Sequence, residues 1–480
     1  MLPIDFFHIE RPKMIRFTKK HSSKAFTLAL SLSTLVTVGS NAGAQELLTG
    51  ANAFGDWHKD SPGLMRKITP ADIIAPLATP SSANRSVIIP KPADAQLKTM
   101  QGFSVNAFVS NMEGARVIKQ APNGDIFVSQ SRPGTVKMGD QVVPQKGKIT
   151  VIRPTPDRSK AQLIETFVGD LKDPYGIAFY PSGPNPKWVY VGMQGQVVRY
   201  PYHNGDLKST GEGEVVVKGL PVGGHWTRDV AFSLDDQTLY LAVGSSSNVA
   251  IDMEGRPEDL ASWEKLHGLG GAWGNETDRA VVLAYSPDGH NRRVYATGIR
   301  NCSGLTIQPV TSAVFCSTNE RDLLGDNTPP DYITRVKEGG FYGWPWIYHA
   351  DHEDLRPAGG ERADLRGKAI QPDALIQPHS APLGMAFNPG GMFPSEWTGD
   401  AFAALHGSWN RSFHTGFKIV RLPVKDHQLV GTYQDFVFGF TSGEDSVWGR
   451  PVNVNFINDG SMLFSDDANG VIYRVSYTKP

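Results

Sequence analysis

The sequence predicts an all-β fold, most simply a six-bladed β-propeller with long inter-strand loops, and three observations carry that expectation. A unit made of a short apolar strand, a turn rich in Gly, Pro, Asn or Asp, and a second strand rich in β-branched and aromatic residues recurs six times. The units are VIKQAPNGDIFVSQ, GIAFYPSGPNPKWVYVG, VAFSLDDQTLYLAVG, LTIQPVTSAVFCS, GMAFNPGGMFPSEWTGDAFAALHG and VNFINDGSMLFSDDANGVIYRV, beginning near residues 117, 176, 230, 305, 384 and 454. Their turns (PNGD, LDDQ, INDG) suit hairpins, and no long amphipathic helical pattern competes with them. A strand-turn-strand unit repeated around a ring is the pattern of a propeller, whereas a sandwich would show shorter, more even spacing. The intervals of roughly 50 to 80 residues exceed the roughly 40 to 50 of a compact four-strand blade, so each blade carries inserted loops.

Ahead of the repeats stand two segments of different character. Met14 opens a basic stretch, MIRFTKKHSSK, followed by the apolar run AFTLALSLSTLVTVG and the small residues NAGA. Residues 1–44 therefore read as a secretory signal with an upstream extension before Met14, cut after Ala44, because the apolar run is short of the roughly 20 residues needed to span a bilayer. The expectation is an exported protein, periplasmic or secreted, with no membrane span once mature. Residues 45–95 are rich in Pro, Ala and Ser with no sustained period, which reads as an extended, partly ordered lead-in. Residues 96–480 form the propeller domain.

Charge narrows the function classes. The chain has 47 Lys and Arg against 48 Asp and Glu, and the leader alone removes six basic and two acidic residues. The remainder is acidic, without the basic footprint of a nucleic-acid binder. Cys302 and Cys316 are the only cysteines, too few for a structural zinc site by themselves. In CSGLTIQPVTSAVFC they bracket two apolar runs with a turn near Pro309 to Ser312, so in a hairpin they lie nearly opposite each other. In an exported protein that favours a disulfide over two buried free thiols.

Chemistry is expected where the loops before the strands converge. GGHWTRD precedes the third repeat, TGIRNCSG the fourth, HSAPLG the fifth and DSVWGRP the sixth. His225, Arg300, Asn301, His379 and Arg450 would then crowd one rim of a central channel. Any one alone could brace a loop through a hydrogen bond. Four repeats contributing such a group at one relative position instead describe a pocket. Arginines offer fixed charge and forked donors for carboxylates, and a histidine offers a proton acceptor near neutral pH. Together they suit a multiply anionic small molecule beside a general base. The segment CSTNERDLLGDNTPPDYITRVKEGGFYGWPW gathers Asn319, Glu320, Asp322, Asp326 and Asp331, oxygen ligands in a composition suited to calcium but without EF-hand spacing, or to a solvated acidic loop. Its GGFYGWP end looks architectural, with Phe341, Tyr342 and Trp344 filling a contact between blades. ALHGSWNRSFHTGFKIVRLPV puts His406, Trp409, Asn410 and Arg411 at the end of a strand, where they could also face the channel.

From about Pro92 to Tyr477 the chain resembles the soluble quinoprotein glucose and sorbosone dehydrogenases, six-bladed propellers that use pyrroloquinoline quinone (PQQ) and calcium. The resemblance rests on APNGDIFVSQ, GGHWTRDVAFSLDDQTLYLAVGSSSN, GIRNCSGL, TNERDLLGDNTPPDY, GGFYGWPW, LHGSWNRS and WGRPV, in that order. HGSWNRS and NERD place it nearest the L-sorbosone dehydrogenase branch. The resemblance implies oxidation of a sugar, a sorbosone-like sugar aldehyde or a polyol, with hydride passing to the quinone and electrons passing on to an external acceptor such as a quinone or cytochrome. It implies that His225 is the base, that Arg300 stabilises developing charge, and that Arg228, Arg300, Asn301, Asn410, Arg411 and Arg450 contact the cofactor, with Arg228 also bracing its loop. Asn319, Glu320 and Arg321 correspond to the calcium segment, where backbone carbonyls supply much of the coordination. Two departures touch the sugar side: Gly224 stands where the glucose-oxidising branch has an acidic residue, and a glutamine of that branch is replaced within DLKDPYG. Cys302 stands where many relatives have proline. The competing expectations are a calcium-dependent propeller lactonase, which would need carboxylates and amides around one metal, and a non-catalytic binding propeller.

Overall fold

A computed structural model describes residues 46–132, 135–138, 141–349, 351–354 and 361–480. The secretory leader expected at residues 1–44 lies outside the described residues. The described chain is nearly all β, with a single α-helix, Leu260–His267, among its strands and short 3-10 turns.

Each of the six repeated units supplies the first two strands of its own sheet, four or more strands wide. The leading strands are Ala115–Gln120, Pro174–Tyr180, Val230–Phe232, Cys302–Ile307, Pro382–Phe387 and Pro451–Phe456, each antiparallel to the strand that follows its turn. Turn chemistry sets the hairpins. In PNGD, Ala121 N–H donates to Asp125 O and Gly124 N–H to Ala121 O, both at 2.8 Å. Gly124 takes φ +96° there, a region closed to most side chains. INDG closes alike, Ile457 N–H donating to Ser461 O at 2.9 Å with Gly460 at φ +80°.

Apolar clusters lie between successive sheets. Val117 and Phe127 of the first pack against Tyr175 and Val189 of the second, and Tyr190 against Phe232 joins the second to the third. Ala242 with Leu305, Phe315 with Met385, and Phe402 with Phe464 continue the series. Ile118 and Val128 of the first sheet pack against Ile457 and Leu463 of the sixth. Each such side chain contributes roughly 1.5–3 kcal/mol on burial. The leading strand of each sheet touches that of the next, and Pro451–Phe456 touches Ala115–Gln120. The outer strand of the sixth sheet is Phe103–Val109, drawn from before the first repeat and paired antiparallel with Val471–Tyr477.

The lead-in is ordered by what it lies against. Met65–Lys67 adds antiparallel to Thr432–Val437 at the edge of the fifth sheet, and Leu47–Leu48 adds parallel beyond it. Arg66 is fully buried and donates to both Asp435 oxygens at 2.7 Å and to Asp60 at 3.0 Å. Lys418 completes the cluster, 2.6 Å from Asp60 and 2.8 Å from Asp435. Two cations against two carboxylates offset a desolvation that a lone buried charge could not bear. Cys302 and Cys316 are joined, with Cα atoms 5.4 Å apart across the hairpin of the fourth sheet. Phe341 and Trp344 pack with Trp273 beside the helix, while Tyr342 packs between the third and fourth sheets. Among the described residues no helix is long and apolar enough to cross a membrane.

Candidate active site

The loops leading into the third to sixth sheets converge on a cavity of about 330 Å³. His225, Arg300, His379 and Arg450, one from each loop, line it, joined by Glu320, Asp322 and Asp331 from the fourth sheet and by His406 and Trp409 from the fifth. Among the described residues, none of the first or second sheet lines this wall.

His225 owes its position to the glycines before it. Gly224 has φ +61°, and a Cβ there would fall well inside contact distance of the Ser246 backbone, so the loop lies flush on Ser245 and Ser246. His225 N–H donates to Ser245 O at 3.0 Å. The ring Nδ1 is 3.0 Å from Ser245 O and 2.9 Å from Ser245 Oγ. A carbonyl only accepts, and the Ser245 hydroxyl spends its hydrogen on Ser247 O, so Nδ1 carries the proton. Nε2 is left as the basic atom, with no hydrogen-bond partner among the described residues. Burial and then the charge of Arg300 push this histidine down from 6.5 to about 3. The sequence leads one to expect titration near neutral pH. The structure corrects that: the ring is a neutral acceptor throughout the physiological range, because a guanidinium stands beside it in a desolvated site.

Arg300 is 4% exposed and makes four hydrogen bonds and one longer ion pair to the protein. Nε meets Asn248 O at 3.3 Å, Nη1 meets the Asn319 and Glu320 carbonyls at 3.2 and 2.8 Å, and Nη2 meets Asn248 Oδ1 at 3.0 Å and Asp322 Oδ2 at 3.5 Å. It supplies fixed charge to the cavity without a free N–H fork. Arg450 is different. Its Nη2 lies 2.9 Å from His406 Nδ1, and since arginine only donates, His406 accepts there and donates from Nε2 to Asp467 Oδ1 at 3.1 Å. Asp467 in turn pairs with Arg116 at 2.8 Å. Burial and then Arg450 push His406 down to about 4, keeping it the neutral link in this chain. Arg450 Nε is buried without a partner among the described residues, so this guanidinium holds donors in reserve.

The acidic side of the cavity is polarised by burial. Desolvation pushes Glu320 and Asp331 up to about 7 each. Asp322 goes the other way: burial opposes it, but the hydrogen bond from His379 and the charge of Arg300 hold it below the ordinary carboxylate range. His379 sits at φ +63°, with Nε2 donating to Gly325 O at 2.9 Å.

Several expected contacts lie away from the cavity. Arg228 is fully buried and clamps the carbonyls of His225, Thr227 and Pro221, which fixes the His225 loop; it does not line the cavity. Asn301 lies behind Arg300, donating to Asn319 Oδ1 at 3.2 Å. Asn410 bridges Leu323 N–H and Ser82 O, and Arg411 holds the carbonyls of Phe54 and Gly55, so both tie the lead-in to the fifth sheet. Arg321 points to Asp354 and the Asp322 carbonyl. The Asn319 and Glu320 carbonyls expected to face calcium accept from Arg300 instead, and among the described residues no three acidic, histidine or cysteine side chains stand around one point. Among the described residues the side chains therefore offer no acidic cluster for calcium, nor one for the metal centre of a lactonase. Reading the sequence missed Ser245, Asn248 and Asp467, which position the wall, and Arg85 and Ser86, which line it. An acidic residue in the last repeat was the one available signal for Asp467.

The sequence matches the Glucose / Sorbosone dehydrogenase family over residues 112–408. The chain belongs to that family. A TrAA12-like match covers residues 361–478. An uncharacterized protein of Borreliella burgdorferi is 36% identical over 80% of this chain and 91% of its own length. The pyrroloquinoline quinone-dependent pyranose dehydrogenase of Coprinopsis cinerea is 22% identical over 79% of this chain, which spans about half, 54%, of that longer relative. The holo PQQ domain of the Coprinopsis enzyme superposes with a TM-score of 0.63 at 20% identity, covering 81% of this chain and 98% of that one. The PQQ-bound aldose sugar dehydrogenase of Streptomyces coelicolor gives 0.52 at 18% identity, covering 81% and 100%. At those identities the likeness is one of fold. The cavity-lining motifs from GGHWTRD to HGS fall within the family match, while Trp409, Arg450 and Asp467 fall within the TrAA12-like segment.

Proposed function

We propose that this member of the glucose/sorbosone dehydrogenase family is an exported PQQ-dependent dehydrogenase of a sugar, sugar aldehyde of the sorbosone kind or polyol, its six sheets forming the blades of a closed propeller with the cavity at one end of the axis. The observation that carries the reading is the pairing of a neutral histidine, basic at Nε2, with a guanidinium that holds unspent donors, in one cavity of about 330 Å³. The contact of the last leading strand with the first supports the ring.

The donor set fits a polycarboxylate cofactor. Arg450, with an orphaned buried Nε, would hold one carboxylate, and the fixed charge of Arg300 favours an anion close to His225. When bound, the quinone supplies a two-electron acceptor for hydride. The protein does the rest. His225 Nε2 takes the proton from the substrate hydroxyl as the C–H bond opens, which leaves a carbonyl product and an imidazolium that an anionic neighbour stabilises. Ser245 keeps the ring in the required tautomer, and Arg228 keeps its loop from moving. Arg300 stabilises negative charge wherever it develops nearby. No step is assigned to calcium. Gly224, pressed on Ser246, leaves no room for the acidic residue of the glucose-oxidising branch, which argues for a substrate other than glucose. Electrons leave to an external acceptor.

Reconstitution tests the reading. Purified protein mixed with PQQ and calcium is expected to reduce an artificial electron acceptor when offered a panel of aldoses, osones and polyols. The proposal fails if saturating PQQ brings no sugar-dependent reduction above that of free PQQ.

A further inference from the structure

The lead-in carries a third arginine to the cavity. Between residues 79 and 89 it forms a strap across the loops of the fourth, fifth and sixth sheets. Thr79 Oγ1 accepts from Asp326 N–H at 2.8 Å and Ser81 Oγ from Gly325 N–H at 3.1 Å. Asn84 N–H donates to Trp409 O at 2.7 Å, and Val87 N–H to Asp445 O at 2.7 Å. Val87–Ile88 then runs parallel to Ser446–Val447. Arg85 lies between the last two anchors. Its guanidinium stands over the Trp409 ring, 5.3 Å from the centroid, and it lines the cavity together with Ser86.

Among the three cavity arginines, Arg85 alone is exposed. It also has no hydrogen-bond or carboxylate partner among the described residues. Arg300 is spent on five protein contacts and faces Asp322. Arg450 is tied through His406 to Asp467. What remains is a planar fork, pre-organised on an aromatic face at the solvent end of the site, where it costs little to order further.

Resting on the reading of this cavity as a sugar-oxidising site, we propose that Arg85, stacked on Trp409, is the substrate-reading residue of the mouth and that preferred substrates are sugars or sugar aldehydes bearing a carboxylate. A carboxylate matches the single fork in charge and geometry, through two parallel N–H···O bonds. The strap precedes residue 112, where the family match begins, so this specificity is a property of the lead-in.

The test compares a hexuronate with its parent hexose on PQQ-loaded protein. Wild type is expected to prefer the hexuronate, with a KM that rises with salt. Arg85→Ala should raise KM for the hexuronate about tenfold, the scale of a charge-assisted pair, leave kcat nearly unchanged and leave the hexose KM nearly unmoved. Arg85→Lys should recover part of the loss. In protein without PQQ, hexuronate titration followed by tryptophan fluorescence should saturate in wild type and not in Arg85→Ala. Equal losses for both sugars, a weakened PQQ affinity with unchanged KM, or a preference for the hexose phosphate would overturn the proposal. If wild type takes up no PQQ, the dehydrogenase reading fails, while the fluorescence titration still decides the anion subsite.

Discussion

The leading and trailing ends of the leading strands have opposite chemistry. At the leading ends stand His225, Arg300, His379 and Arg450 around the candidate site. At the trailing ends of the first four leading strands another cavity, of about 300 Å³, is lined by Ile177, Phe179, Val230, Phe232 and Ile307, with Lys119 as its one charged residue. The trailing end is built for packing: Phe232 stacks edge-on against Tyr190, centroids 4.9 Å apart. The leading end desolvates ionisable groups that a fold optimised for stability alone would leave in water. Perturbed groups gathered in one cleft, beside a strained residue such as His379, are the mark of a site, and the packed end shows what the opposite ends of leading strands look like without one.

A pair of substitutions breaks this contrast most sharply. His225→Gln is expected to lower turnover by roughly 10²- to 10⁴-fold, the range for loss of a general base, with thermal stability nearly unchanged. Phe232→Ala should cost about 3–5 kcal/mol of stability and leave KM and kcat of the folded fraction intact. Steady-state kinetics and thermal denaturation on both variants separate the two ends; a His225→Gln enzyme that turns over normally, or a Phe232→Ala enzyme with altered KM, would erase the distinction. The next effect is smaller. Asp467→Asn loosens the chain through His406 to Arg450, and PQQ affinity should fall about tenfold, as for one charge-assisted hydrogen bond, with little change in hexose KM once the cofactor saturates.

The smallest effect is in pH. Glu320 and Asp331 rise from 4.5 and 3.8 to about 7 on burial, so the folded state holds their protons more tightly than the unfolded one. Their contribution to stability is complete below about pH 4 and is lost as pH rises through 7. Melting temperature should therefore fall between pH 5 and 8, and Glu320→Gln, which keeps an oxygen for Arg321 N–H, should flatten that fall. His225, pushed down to about 3, should place no acid limb on the rate near pH 6.5 in protein whose cofactor leaves it neutral. A limb there would show that bound anion restores its basicity.

Much of the β architecture is legible in the sequence because hairpin turns are local. PNGD and INDG contain the glycine that the turn needs, and the strands beside them become the leading pairs of separate sheets. The site is legible only as positions. Neighbours in a motif face opposite ways, so Arg300 lines the cavity while Asn301 backs it, and His225 lines it while Arg228 clamps the loop from behind. Motif membership cannot make that distinction, because it depends on which side chain the backbone turns inward. The lead-in was least legible. Its order comes from burying Arg66 against Asp435 and from loops that pin Arg85 beside Trp409, contacts hundreds of residues apart that leave no periodicity behind.

Equilibrium titration of the protein with PQQ, read by absorbance of the bound quinone, tests the central claim most directly. Wild type is expected to saturate at one quinone per chain, and Arg450→Ala to bind at least about tenfold more weakly. Wild type that shows no saturable binding, or an Arg450→Ala variant that binds as well as wild type, would contradict the account.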